Sequence, residues 1–186
     1  QVQAQFDHRG RLWVVEMTGY MPNPEGTGEQ EPNGDIVILE DTDADGRMDK
    51  RTVFLGGLVM PRTVMLVGGG ALVAEPPKVW FARDSDGDGK CDEKLLAFER
   101  YAIQNDPKLG AKSNPEHASN GLMWALDNWI YSANHTVRFR WLGDGKFARE
   151  NTVTRGQWGI AQDDVGRLFY NSNSDQLRGD LAPYEY

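Results

Sequence analysis

The chain has 186 residues, 26% of them charged, with 28 acidic against 20 basic side chains and a formal net charge of −8. A basic footprint for nucleic acid is excluded, because Lys and Arg are scattered and outnumbered, and no apolar run reaches the roughly 20 residues of a membrane-spanning helix. The single cysteine, Cys91, excludes an intrachain disulfide, a cysteine-rich zinc cluster and a Cys-x-x-Cys-His haem attachment within this sequence.

Helical periodicity is scarce, Gly and Pro are frequent, and short apolar runs recur between turn signals, which predicts an all-β fold. Gln1 enters this pattern just ahead of the first strand turn with no signal peptide before it, so a mature or excised piece of an exported protein is expected. From Phe6 to Glu16 a turn leads into a strand. Met21 to Asn33, rich in Pro, Gly and Glu, reads as a long surface loop. Strands are then expected at Asp35–Glu40 and Arg51–Leu55, with an acidic loop between them. Leu66–Ala74 is a degenerate copy of the opening turn. Strands at Lys78–Arg83 and Lys94–Phe98 flank a second acidic loop. A loop from Asp106 to Ser119 follows, and then two further copies of the opening cadence, at Met123–Ser132 and Ile160–Tyr170. Repeats of this size, one tight turn per unit, predict the four-stranded blades of a β-propeller, here three to four of them.

The two acidic loops carry the most specific chemistry. Asp41, Asp43, Asp45 and Asp49 occupy positions 1, 3, 5 and 9 of the first, with Gly46 at position 6. Asp84, Asp86, Asp88 and Asp92 repeat the pattern around Gly89. Alternate side chains of such a loop converge on a hard cation, the Gly permits the sharp turn, and the position-7 carbonyl, of Arg47 or Lys90, adds an oxygen. Without a cation, carboxylates so close together repel one another. Two calcium sites are therefore expected. Position 12 is Thr52 in one loop and Leu95 in the other, where an EF-hand needs a bidentate Glu, and the flanks read as strands. The expected sites are hairpin tips. Weak calcium sites need millimolar calcium, so a periplasmic or extracellular location is expected. Cys91 lies among carboxylates that raise a thiol pKa, and reads as a neutral filler.

Other polar residues leave alternatives open. His8 sits in a turn and is expected to be solvated. His135, inside the Asn134–Thr136 glycosylation sequon, either lines the face that carries His117 or is structural. Asn171, Asn173 and Asp175 line a polar pocket or cap a turn. The Trp residues fit a blade core, with Trp124, Trp129 and Trp158 the candidates for an exposed platform. Neither a phosphate-binding Gly-Lys-Ser/Thr loop nor a serine nucleophile elbow occurs.

Taken in order, Asp7–Glu16, the paired acidic hairpins, Leu122–Tyr131 and Gln157–Asn173 resemble the membrane-bound dehydrogenase family along essentially the whole chain. That resemblance implies a propeller, of which residues 1–186 would be a partial domain, and in longer members an appended c-type haem segment. It points on to the soluble quinoprotein sugar dehydrogenases, six-bladed propellers that bind pyrroloquinoline quinone (PQQ) and calcium. By this likeness His117, after Glu116 and ten residues ahead of Asp127, takes the place of the catalytic base. Arg155, four residues before Gly159 and eleven before Gly166, takes that of the cofactor contact. A His near neutral pKa suits proton removal from a sugar hydroxyl, and an Arg suits the cofactor's carboxylates, while the redox step is the cofactor's own. The chain departs from those enzymes at Gly156, where they have Asn, and at Ser174-Asp175, where they have Gly-Pro. The resemblance implies an oxidoreductase acting on a sugar or polyol and passing electrons to a haem partner. The residues alone also allow a non-catalytic, calcium-dependent module that binds a glycan or protein through its loop face.

Overall fold

The computed structural model describes residues 2–103 and 117–181. Among them are fifteen strands and no helix, hence none long and apolar enough to cross a membrane. The expected all-β, propeller-like fold is the one observed. The chain divides into two compact units, Gln1–Arg100 and Tyr101–Tyr186.

The first unit holds two antiparallel meanders. Sheet A runs β1 (Gln3–Phe6), β2 (Leu12–Glu16), β3 (Gly34–Glu40) and β4 (Lys50–Leu58). Sheet B runs β5 (Thr63–Val67), β6 (Gly70–Glu75), β7 (Lys78–Arg83) and β8 (Glu93–Glu99). The sheets pack through β1 and β2 against β5, around a core that includes Trp13, Val15, Ile36, Val64 and Val73. β-Branched and aromatic residues fill the inner strands, and β6 is buried at every position but its two ends because side chains on both faces have neighbours. The outer strand β8 is largely exposed. Gly70 is required where β6 begins: a Cβ there would lie 2.5 Å from the Ala82 carbonyl and 2.9 Å from the Phe81 ring.

The second unit repeats the plan. Sheet C comprises β9 (Asn120–Trp124), β10 (Ile130–Ala133), β11 (Val137–Gly143) and β12 (Lys146–Asn151). Sheet D comprises the three short strands β13 (Ile160–Gln162), β14 (Leu168–Tyr170) and β15 (Arg178–Gly179). Ala125, Trp129, Tyr131 and Leu168 form its core, with Met123 and Ile160 against them. The three full meanders and one partial one agree with the three to four blades expected. All four repeats of the opening cadence fall on the hairpin between the first and second strands of a sheet.

Those inner hairpins share one construction. The five-residue turns at 7–11, 125–129 and 163–167 each close with an N–H of the first residue bonded to the carbonyl of the fifth, at 3.0, 2.8 and 3.1 Å. Each puts its fourth residue, Gly10, Asn128 or Gly166, in the left-handed region at φ 78°, 65° and 89°. Sheet B instead uses the two-residue turn Gly68-Gly69, both glycines at positive φ. An Asp stitches each five-residue turn. Asp7 accepts from the Arg9 and Arg11 N–H groups, both at 2.9 Å, from Arg11 Nε at 2.7 Å and from the Trp13 indole at 3.1 Å. Asp163 repeats this with Val165 and Arg167. Asp127 serves the Trp129 N–H and the Tyr131 hydroxyl, at 3.0 and 2.7 Å.

Burial of Asp7 would raise its carboxyl pKa, but the bonds from Trp13, Arg11 and Arg9 outweigh that and hold it at about 2, below its ordinary 3.8. A depressed native pKa means that this stabilisation is complete above the unfolded value and is lost as pH falls toward about 2. Asp7→Asn should therefore lower stability at pH 7 by about 2 kcal/mol. In urea melts the gap to wild type should close as pH falls from about 4 toward 2. A variant equal to wild type at pH 7 would contradict this role for Asp7.

Candidate functional site

In each meander the first-to-second and third-to-fourth connections lie at one end of the sheet, and the remaining connections lie at the other. The acidic loops are the third-to-fourth connections of sheets A and B. Loop 41–49 joins Glu40 to Lys50, and loop 84–92 joins Arg83 to Glu93. The equivalent hairpin of sheet C is the two-residue turn Asp144-Gly145. Only nine residues at this point give room for a cage of side chains.

The two loops fold almost identically. The position-6 N–H (Gly46, Gly89) donates to Oδ2 of the position-1 Asp, at 2.9 and 2.8 Å. The position-5 N–H bonds Oδ1 of Asp43 or Asp86, and the N–H of Arg47 or Lys90 bonds Oδ1 of Asp45 or Asp88. Position 9 anchors the loop: Asp49 accepts from the Thr42 N–H and hydroxyl, and Asp92 from those of Ser85. The Gly46 N–H foremost lowers the Asp41 pKa, and the Ser85 N–H and hydroxyl lower that of Asp92, so both carboxylates stay charged.

Asp41, Asp43 and Asp49 bring one carboxylate oxygen each within 4.8 Å of the others, as do Asp84, Asp86 and Asp88. Like charges at that spacing repel one another. Asp41 Oδ1 is shielded from solvent and has no hydrogen-bond partner. An unpartnered carboxylate oxygen on a residue grouped with two more carboxylates fits a hard cation, and the all-oxygen donor set suits one of the calcium type. Asp45 and Asp92 fall outside these triads. Arg47 and Lys90 are placed at the turn, each with its N–H on the position-5 carboxylate.

A second constellation lies in the Tyr101–Tyr186 unit, at the end of sheets C and D opposite their inner hairpins. His117 lies three residues before the start of β9, Asn134 joins β10 to β11, Gln157 and Trp158 precede β13, and Asn173 follows β14. Asn134, at φ 53°, donates its side-chain amide to the His117 carbonyl at 2.5 Å and its N–H to the Arg155 carbonyl at 2.9 Å. The sequon nitrogen is thus already bonded. Gln157 Oε1 accepts from the Asn173 N–H at 3.2 Å, which directs its Nε2 at His117 Nδ1. With the amide so oriented, Nδ1 is assigned as the acceptor and the imidazole proton to Nε2. Trp158, 43% exposed, donates its indole N–H to Asn173 Oδ1 at 3.0 Å, with its ring 5.9 Å from that of His117. Asn120 holds the Gln157 carbonyl at 2.7 Å. Gly121, at φ +60°, lets the two segments meet, since a Cβ there would lie 2.8 Å from Gly159 Cα.

Arg155 is buried and takes different partners. It pairs with Asp180 at 2.8 Å, donates to Thr152 Oγ1 and the Val153 carbonyl, and lies 5.2 Å over the Tyr131 ring. It lines a cavity of about 240 Å³ with Asp127, Tyr131, Gln162 and Asp180, a cavity that His117 does not line. So Asn134 ties the main chains of His117 and Arg155 together while their side chains serve different surroundings. Glu116, expected beside His117, and residues 106–116 of the expected loop lie outside the described residues.

Trp124 and Trp158 are exposed, as expected of a platform, whereas Trp129 is buried, with the guanidinium groups of Arg138 and Arg140 at 4.3 and 4.1 Å from its ring. His135 is a core residue, packed against Tyr101 and Phe139 and 3.2 Å from Ser119 Oγ. Sequence reasoning did not single out Gln157, or Asn134 as the link between segments. Nor did it identify the turn aspartates, although the recurrence of Asp-x-x-Gly-Arg-Leu at Asp7 and Asp163 carried that signal.

An all-β, propeller-like chain with paired acidic hairpin loops is the class that fold and site define. Residues 1–186 match the family described as "Domain of unknown function (DUF7133)", and the chain belongs to that family. No curated protein matches it.

Burial first, and the positive field of Arg149 second, lower the His135 pKa from 6.5 to about 4. The unfolded chain takes up this proton as pH falls below 6.5 and the folded one does not, so stability declines from there toward pH 4. Over that range wild type should lose about 3 kcal/mol more than His135→Gln, read from urea melts at pH 7 and pH 4. Equal losses would contradict the burial of a neutral imidazole.

Proposed function

We propose that this chain is a calcium-stabilised recognition module of the propeller type, which binds a polyhydroxylated ligand such as a glycan at the His117 end of its second unit. The observation that carries the reading is the exposed Trp158 ring bordered by His117, Gln157 and Asn173 in one hydrogen-bonded set. A flat apolar ring edged by amides and an imidazole N–H is suited to the apolar face and hydroxyl rim of a sugar. His117 would offer an imidazole N–H to a ligand hydroxyl. The module needs no catalytic group.

The cation's part is structural. Asp41, Asp43, Asp45 and Asp49 with the Arg47 carbonyl, and Asp84, Asp86, Asp88 and Asp92 with the Lys90 carbonyl, would hold one calcium each. The ion removes the carboxylate repulsion and locks the hairpin tip. Weak sites of this kind fill at the millimolar calcium of a periplasmic or extracellular space, which is the location we propose.

A dehydrogenase-like reading is favoured by one observation, the Asn134 link between the His117 and Arg155 segments. In that reading Arg155 would exchange Asp180 for a carboxylate of PQQ, and the bound quinone would supply the oxidising chemistry. His117 could take a proton from a sugar or polyol hydroxyl only after the Gln157 amide turned over. A c-type haem domain or cytochrome would be the electron acceptor.

Excess EGTA should lower the melting temperature, because an ion that binds only the native state stabilises it by about 2.7 kcal/mol at one hundred times its dissociation constant. Asp41→Asn should remove part of that response. On a glycan array, Trp158→Ala should abolish binding with the melting temperature unchanged, and His117→Ala should weaken it. An array without hits, together with dye reduction that needs PQQ and calcium and vanishes in His117→Ala, would replace the first reading by the second.

A further inference from the structure

The connection between β10 and β11 gives consecutive residues two different jobs. Asn134 is a tie. Its N–H donates to the Arg155 carbonyl at 2.9 Å, its side-chain amide donates to the His117 carbonyl at 2.5 Å, and its own carbonyl accepts from Ser119 Oγ at 2.8 Å. His135 is a plug, 8% exposed, with the Tyr101 and Phe139 rings 4.9 and 5.8 Å from its own. Ser119 has one hydroxyl proton and gives it to Asn134, so its contact with His135 Nδ1 at 3.2 Å assigns a proton to Nδ1. A second proton would go to Nε2 and turn the ring into a cation.

The surroundings disfavour that charge. Among the described residues, Arg149 on β12 is the charged side chain whose field reaches the ring, and it repels a cation. Tyr101 is the titratable group in ring contact. On β11, Arg138 and Arg140 alternate with Phe139 and lie against Trp129 on the other face. A buried cation without a carboxylate is costly, and the ring sheds that cost by swinging into water. It cannot do so without moving Asn134, the residue before it.

We propose that residues 134–136 form an acid-operated latch: protonation of His135 withdraws the segment, releases the ties of Asn134 to His117 and Arg155, and loosens the set that joins His117 to Trp158. The sign follows from the two forms of the ring. Plugged, it holds its second proton only near pH 4, whereas swung into water it titrates at the ordinary 6.5. Acid therefore favours the open form progressively below pH 6.5 and ceases to add to it near pH 4. The consequence for a ligand, weaker binding in acid, rests on the recognition reading proposed above; the opening itself does not.

Hydrogen exchange at the Asn134 amide of the full chain tests the latch, each rate being divided by that of an unstructured peptide at the same pH. This relative exchange should rise about fiftyfold from pH 7 to pH 4.5, and at both it should exceed that of the β10 amides. In His135→Gln it should be the same at the two pH values. Equal relative exchange in wild type would overturn the latch. So would an Asn134 amide that always exchanges with β10, because the chain then opens only as a whole. Should His135→Gln fail to fold, these two wild-type outcomes decide. On the glycan array, wild type should lose at least half of its pH 7 signal at pH 4.5, and His135→Gln should keep it. A wild-type signal that persists while the Asn134 amide is released would overturn the link to the site. An array without hits at pH 7 would remove the recognition reading and leave the latch to be decided by exchange.

Discussion

An aspartate carboxylate at the corner of a hairpin is the interaction on which both units rest. A tight turn exposes peptide N–H groups that have no partner in the strand ladder, and each must be satisfied by something. Here one carboxylate does it for several donors at once. Asp7 and Asp163 gather the N–H groups of a five-residue turn and tie them to the Arg that follows, while Asp127 ties its turn to Tyr131. The acidic loops extend the device from one carboxylate to several, with Asp41 and Asp84 each fixing the chain at a position-6 glycine. Three carboxylates there bring one oxygen each within 4.8 Å of the others, which is the arrangement behind the cation sites proposed above.

This solution leaves the two ends of a sheet with different tasks. In the Tyr101–Tyr186 unit, the end that carries turns 125–129 and 163–167 is held by Asp stitches, and its cavity is lined by the Arg155–Asp180 pair. The opposite end presents His117, Gln157, Trp158 and Asn173 on connections between strands. Connections can vary without cost to the ladder, so polar and aromatic groups gather there while the strands hold the frame. Gly121 is the structural exception, because a Cβ there would lie 2.8 Å from Gly159 Cα and keep the segments apart.

Much of the frame was legible because its signals are local. Strands around the acidic loops showed themselves by β-branched and aromatic runs, and they formed within one to three residues of the expected ends. The repeated turn-then-strand cadence marked all four inner hairpins, since glycine or asparagine at a left-handed position leaves a trace in sequence. The positions of the acidic loops were legible for the same reason, their alternation being set by the geometry of a short loop. Side-chain partnerships made by residues far apart in sequence were not. Nothing near Arg155 announces Asp180, and nothing near His117 announces that Gln157 will fix its tautomer. His135 and His117 look alike in sequence, yet one is packed between Tyr101 and Phe139 and the other borders an exposed Trp. Burial decides between them, and burial is a property of the folded chain.

The most direct test of the account is a count of bound calcium by equilibrium dialysis at millimolar concentration. Two ions per wild-type chain, reduced to one by Asp41→Asn and to one by Asp84→Asn, is the result that follows from cages built on positions 1, 3, 5 and 9. A chain that stays folded and binds none would contradict it, and would leave the paired loops as hydrogen-bonded turns that happen to be acidic.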